Sequence, residues 1–295
     1  LAMNIDPNEE KGRAFSYDWR AQEFVTLAAG SEQDAHDVQW QPASSSGDDG
    51  DGSSSAGIWR PSASGCILQD AETGGKLESF SLGKLLDDVN HCQALTDTGF
   101  LVVNGRASNC FALYNRDTED VEYVVGGADG TLDLIDLEGN RLPKNSTVFY
   151  GQHNLEYFGE NEWFMFNNAY NQRAGEFLST TSRPMKVVLD ETKMIANITW
   201  AYETGVRSYI YGDVDRLPTG HLLACWWPSE LSVNMPEQYD TKVAEIIPDY
   251  SNAGKDELAW ELLVIGHNCT FGHKGREDGT GCTRASEYDT VPYGW

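Results

Sequence analysis

No apolar run in this sequence approaches the ~20 consecutive residues that a membrane-crossing helix requires. Residues 1–20 also lack the short apolar core of a secretory signal. Basic residues are scarce: 21 Lys and Arg stand against 46 Asp and Glu, a formal net charge of −25. Such a chain has little to offer a phosphate backbone or an anionic lipid surface, which argues against nucleic acid and membrane partners. No Cys-x-x-Cys occurs among the six cysteines, which argues against a structural zinc site. Gly74-Gly75-Lys76 lacks the spacing and the following Ser or Thr of a phosphate-binding loop, so it is no seat for a nucleotide donor.

What is present favours strands. Nine Trp and thirteen Tyr accompany an apolar content of 40%, enough for a core, and 295 residues fit one large all-β domain. Three Asn-x-Ser/Thr sequons, at Asn145, Asn197 and Asn268, are glycan acceptors if the chain is secreted. An even number of cysteines is compatible with oxidation, with 15 full pairings open. Cys269 and Cys282 flank a Gly-rich loop and are the pair expected to bond. These features point to a secreted or extracellular protein. Leu1 is not an initiator methionine, so the chain reads as a mature or trimmed product.

Hairpin patterns recur along the chain. The clearest begins at Gln152-His153, runs through Asn154–Phe158, turns at 159–162 and returns through Trp163–Phe166 to Asn167-Asn168, with Arg173 just beyond. Similar units open at His36, at His91 (returning through Phe100–Arg106) and at Asp213 (returning through His221–Trp226). The spacings are 91 − 36 = 55, 153 − 91 = 62 and 213 − 153 = 60 residues. A hairpin repeat of that period predicts a β-propeller of four-stranded antiparallel blades, each opening on a strand that lines a central channel. The four openings then converge on one axis.

Further strand pairs complete each unit: Ile67–Phe80 around a Gly-Gly turn, 111–125, 186–202 and 242–263. Residues 14–27 read as the outer strands of a preceding blade. That makes four hairpin units and a partial one, about five blades over residues 1–265, with an irregular Gly-rich tail at 266–295. Residues 44–55, rich in Ser, Gly and Asp, form a surface insertion. Asp48, Asp49 and Asp51 within it are the only candidate for structural Ca²⁺, without the ligand spacing or closing Glu of a known calcium loop.

The motifs Gln152-His153, Phe166-Asn167-Asn168 and Arg173, with the Asp213-Val-Asp-Arg-Leu-Pro-Thr-Gly-His-Leu-Leu223 and His36-Asp-Val-Gln-Trp40 openings, resemble the arylsulfotransferase-type propeller family over roughly residues 35–265. The resemblance implies a ring of six blades, hence a longer gene product, and no nucleotide cofactor. It also implies that a channel histidine carries a sulfuryl group from an aryl sulfate to a phenol. Neutral imidazole suits that step, and Arg suits the oxygens. His153 and Arg173 match the family's anion-holding pair, with His91 and His36 on equivalent rims. Asn168, Arg106 and Asp213 are candidate substrate contacts. Asp213 departs from the family, which implies a histidine at a later opening, and its charge repels a sulfate ester. The alternative is a noncatalytic, glycosylated matrix or surface scaffold that binds a protein or glycan partner.

Overall fold

The computed structural model describes residues 2–6, 11–18, 20–27, 38–43, 56–95, 98–227, 241–251 and 255–264. Among them there are strands and turns but no α-helix. A three-stranded antiparallel sheet comes first: β1 (Ala2–Asp6), β2 (Lys11–Asp18) and β3 (Glu23–Leu27). Four larger sheets follow. The first holds β4 (Gln39–Gln41), β5 (Gly57–Ser62), β6 (Gly65–Asp70) and β7 (Lys76–Ser81). The second holds β8 (Val89–Ala94), β9 (Phe100–Gly105), β10 (Cys110–Asn115) and β11 (Asp120–Gly126).

The third sheet is enlarged. A short excursion, β12 (Asp133–Ile135) and β13 (Arg141–Leu142), precedes its main strands, β14 (His153–Tyr157), β15 (Glu162–Asn167), β18 (Arg183–Asp190) and β19 (Ile195–Ala201). β12 adds to β19 in parallel, so the sheet has six strands in the order β13-β12-β19-β18-β15-β14. A small separate hairpin, β16 (Tyr170–Asn171) with β17 (Glu176–Phe177), leaves between β15 and β18. The fourth sheet runs β20 (Asp213–Arg216), β21 (Leu222–Trp226), β22 (Thr241–Ile247) and β23 (Glu257–Val264).

The four sheets form a four-bladed β-propeller. Its logic is visible in the strand sequences. Phe100-Leu-Val-Val and Trp163-Phe-Met-Phe are continuous apolar runs because a blade is covered on both faces. Leu101 and Val103 of β9 join Trp59, Leu68 and Cys66 of the first blade, whereas Val102 turns the other way, to Leu155, Trp163 and Met165 of the third. Phe164 and Phe166 of β15 face Val214, Leu222, Ala224 and Trp226 of the fourth. Among the described residues, three core clusters thus lie between successive blades, and a smaller fourth gathers Val38, Ile58 and Ala71 at the first blade. Each buried Leu, Phe or Met contributes about 1.5–3 kcal/mol of transfer free energy.

A disulfide, Cys66–Cys92, links β6 to β8 and so joins the first blade to the second. The sequence favoured Cys269 with Cys282, but those residues lie outside the described ones, as do His36, Asn268, the 44–55 insertion and the 266–295 tail. Among the described residues the count of about five blades is corrected to four. The partial unit at the N-terminus is the separate three-stranded sheet, and residues 127–142 supply an excursion of the third blade that hairpin counting missed.

Candidate functional site

The chain places the openings of its second, third and fourth blades as expected. His91 lies in β8, His153 begins β14 and Asp213 begins β20, and each of these strands is the edge of its sheet where the blades meet. Neighbouring edge strands are stitched together by amide side chains. Asn90 and Asn104 both donate to the Gln152 carbonyl, at 3.0 and 3.1 Å. The Gln152 amide returns bonds to Asn104 Oδ1, Gly105 O and Cys110 O at 2.9–3.2 Å. Gln93 and the Tyr157 backbone exchange two bonds. Gln39 of β4 donates to Glu156 of β14 at 3.0 Å, a contact that skips the second blade and so crosses the interior of the ring. Buried amides must be paired to be tolerated, and here the pairing fixes blade against blade.

His153 belongs to this stitching. It is buried, and its Nδ1 lies 2.7 Å from Asn168 Oδ1 and 3.0 Å from Gly151 O, both acceptors. Its Nε2 lies 3.2 Å from the Tyr211 backbone nitrogen, which can only donate. The tautomer follows: the proton sits on Nδ1, and the Nε2 lone pair receives the Tyr211 N–H. Asn168, fully buried, also donates through Nδ2 to Ser208 O (3.1 Å) and Tyr211 O (2.8 Å). Both main-chain groups of Tyr211 are thus held by the third blade.

Two glycines permit this approach. Gly212, at φ +124°, would bring a Cβ within 2.2 Å of the Phe166 ring, and Gly151, at φ +62°, would bring one within 2.6 Å of Tyr170 O. A register shift in β14 follows His153, and Asn154 there takes a left-handed φ of +44°. Such a bulge re-aims a side chain. The Asn154 amide donates to Asp213 Oδ1, tying β14 to β20.

The other candidates are spread out. His91 is fully buried within β8, opposite Asn104. Arg106 pairs with Asp88 at 2.5 Å, and the Gln172 side chain lies against both. Arg173 is two-thirds exposed and 3.7 Å from Asp87. Arg106 and Arg173 thus stand with Asp88 and Asp87, between the second blade and the β16–β17 hairpin. An exposed pair at that distance contributes little. Arg173→Ala should change unfolding free energy by no more than about 0.5 kcal/mol in urea titration. Asn145 is exposed on a turn with φ +64°, whereas Asn197 is half-buried in β19, a strand paired on both sides.

Sequence reasoning missed Tyr211. Its φ is +61°, a left-handed conformation that costs an L-residue about 1–2 kcal/mol. The residue is 41% exposed. The ring lies 5.2 Å from Trp227, tilted by 35°, and 6.1 Å from the His153 imidazole. Close by, Tyr209 packs on Tyr170 and Phe177, and Arg207 stands 5.1 Å over Phe177. The Gly after Tyr211 was the one local signal of an unusual turn. Among the described residues, no group of His, Cys, Asp and Glu gathers to hold a metal ion.

No family model and no curated protein matches the chain. Solved structures resemble it weakly. A hydrazine synthase of Kuenenia stuttgartiensis is 12% identical at a TM-score of 0.38, over 70% of this chain and 62% of that one. The N-terminal domain of Nup159 is 11% identical at 0.35, over 68% and 44%. The chain thus spans less than two thirds of either. Hsv2 of Kluyveromyces lactis is 7% identical at 0.20, over 70% and 95%. Likenesses at these scores carry no argument, and the blade architecture rests on the strand pairing itself.

Proposed function

We propose that this chain is a noncatalytic extracellular propeller scaffold, whose ring binds a partner and transfers no chemical group. The observation that carries this reading is the saturation of His153. A nucleophile must offer a lone pair to its substrate. Here Nδ1 is protonated toward Asn168, and the Nε2 pair is occupied by the Tyr211 N–H. Sulfuryl transfer, which the sequence resemblance implies, would require breaking a bond that holds two blades together. Arg173, the cation that the resemblance implies, stands beside Asp87, and Asp213 brings a carboxylate to the β20 opening.

The extracellular part of the proposal is supported by the Cys66–Cys92 disulfide, a bond that persists in oxidising compartments. It is also supported by the exposed turn at Asn145, whose geometry suits a glycan acceptor. The decisive experiment is incubation of the protein with 4-nitrophenyl sulfate and a phenolic acceptor. We expect no nitrophenolate release above buffer. Release that disappears in His153→Asn would overturn the noncatalytic reading.

A further inference from the structure

The outermost strand of a blade presents a row of main-chain groups to which another chain can pair. Three blades of this protein manage that edge, each differently. In the first, β7 sets Lys76, Glu78, Ser79 and Ser81 along it, and Glu78 pairs with Arg116 of the second blade. In the second, β11 carries exposed Asp120 and Glu122. Its Val124 main chain is also bonded by Thr131, whose N–H donates to the Val124 carbonyl at 2.8 Å and whose hydroxyl accepts the Val124 N–H at 2.9 Å. In the third, β12 lies parallel beside β19 and takes up its edge.

The fourth blade differs. β23 ends the order β20-β21-β22-β23, and no described strand pairs with its far side. Residues 257–263 are all exposed, with Leu258, Trp260, Leu262 and Leu263 at 44–50%. The register with β22 sets their faces. Trp260 and Leu262 lie opposite Glu245 and Val243, whereas Leu258 and Leu263 lie opposite Ile246 and Lys242, on the side that packs against the third blade. The edge is therefore apolar on both faces. The Trp260 ring is fixed in orientation, because its Nε1 donates to Glu245 Oε2 at 2.6 Å while His221 Nδ1 lies 2.6 Å from Oε1. A long apolar edge is the kind that recruits a strand, and β19 shows that this fold accepts one.

Charge narrows the occupant. Glu245, Asp256, Glu257 and Glu261 lie on β22, on β23 or immediately before it, against Lys242 and Lys255, and Lys242 is paired with Glu261 at 2.9 Å. Hydrogen bonds from His221 and Trp260 hold Glu245 below the usual carboxylate range, so it stays ionised at neutral pH. The whole chain carries −25. A second copy would set this acidity against itself, whereas a strand bearing Lys or Arg meets its complement.

We propose that β23 is a docking edge for an extended segment of a partner protein, apolar residues alternating with Lys or Arg, which adds to the fourth blade as a further strand. This adds to the reading above a surface and a class of partner that do not depend on His153. Titration calorimetry of the full chain with a peptide of four Lys-Val repeats tests it, with four Lys-Ser repeats as a control of equal charge. The Lys-Val peptide should bind and slow hydrogen exchange across β23, and the Lys-Ser peptide should bind about tenfold more weakly or worse. Leu262→Gln and Leu258→Gln, at half-exposed positions on opposite faces, should each weaken Lys-Val binding about tenfold and melt within a few degrees of the parent. No binding, equal binding of the two peptides, or binding indifferent to both variants would overturn the proposal. So would β23 amides already protected in a parent that takes up no peptide, since the chain itself would then cover the edge. A doubled mass in sedimentation equilibrium that reverts to monomer in Leu262→Gln would assign the edge to a second copy and overturn the partner. If both variants unfold, exchange in the parent still decides: β23 amides that stay unprotected with Lys-Val peptide bound would overturn the docking edge.

Discussion

His153→Leu is expected to lower the unfolding free energy by about 2–5 kcal/mol. Leucine nearly fills the space of the imidazole but leaves Asn168 Oδ1 and the Tyr211 N–H without their partner. Each unsatisfied buried group costs about 1–3 kcal/mol. Asn168→Leu should cost a similar amount, because Tyr211 O loses its Asn168 donor and Ser208 O keeps only the long bond from Ser182 Oγ. The double variant should cost less than the sum, since both residues belong to one network. Urea denaturation with an unchanged m-value is the measurement. A catalytic histidine behaves differently: its removal abolishes turnover and leaves stability nearly intact. If His153→Leu unfolds at the parental midpoint, the blade-locking role assigned here is wrong.

Loss of the inter-blade disulfide should be comparably severe. Cys66 and Cys92 are 26 residues apart in sequence. Opening a loop of that size returns about 3–4 kcal/mol of chain entropy to the unfolded state in the loop-closure description. We expect Cys66→Ala/Cys92→Ala to unfold at correspondingly lower denaturant, and the parent to shift the same way when reductant is present during unfolding. Identical curves with and without reductant would contradict the bond. Cys110 and Cys225 should not exchange into it in the folded state, because burial is the main influence on both thiols. It pushes Cys110 up to about 11 and raises Cys225 further, with the carboxylates of Asp213 and Asp215 adding to the effect. Few thiolates are then available at neutral pH. Alkylation of the native protein should therefore leave both unlabelled.

Much of the fold was legible in residue order. Strand and turn signals are local: apolar runs such as Phe100–Val103 and Trp163–Phe166 read as strands wherever the chain goes, and glycine-rich turns end them. The spacing of the openings at His91, His153 and Asp213 carried the repeat, because each blade is built from sequence-adjacent hairpins. Short or parallel pairings were not legible. β12 is three residues long and joins β19 across some sixty residues, so nothing in its own sequence names its partner.

The site divides in the same way. By itself the sequence determined which residues would stand near the blade junctions, since period and turn chemistry are read within a few residues of each position. It marked His153, Asn168 and Asp213 as members of one neighbourhood. Only the tertiary structure decided what they do there. The role of an imidazole depends on what faces each ring nitrogen, and those partners, Asn168 and Tyr211, come from 15 and 58 residues away. Likewise no spacing rule selects Cys92 for Cys66 among six cysteines, because disulfide choice follows Cα separation, here 6.2 Å. The exposed ring of Tyr211 escaped the sequence for the same reason. Its left-handed backbone is imposed from the neighbouring blade by His153 and Asn168, which local propensity cannot express.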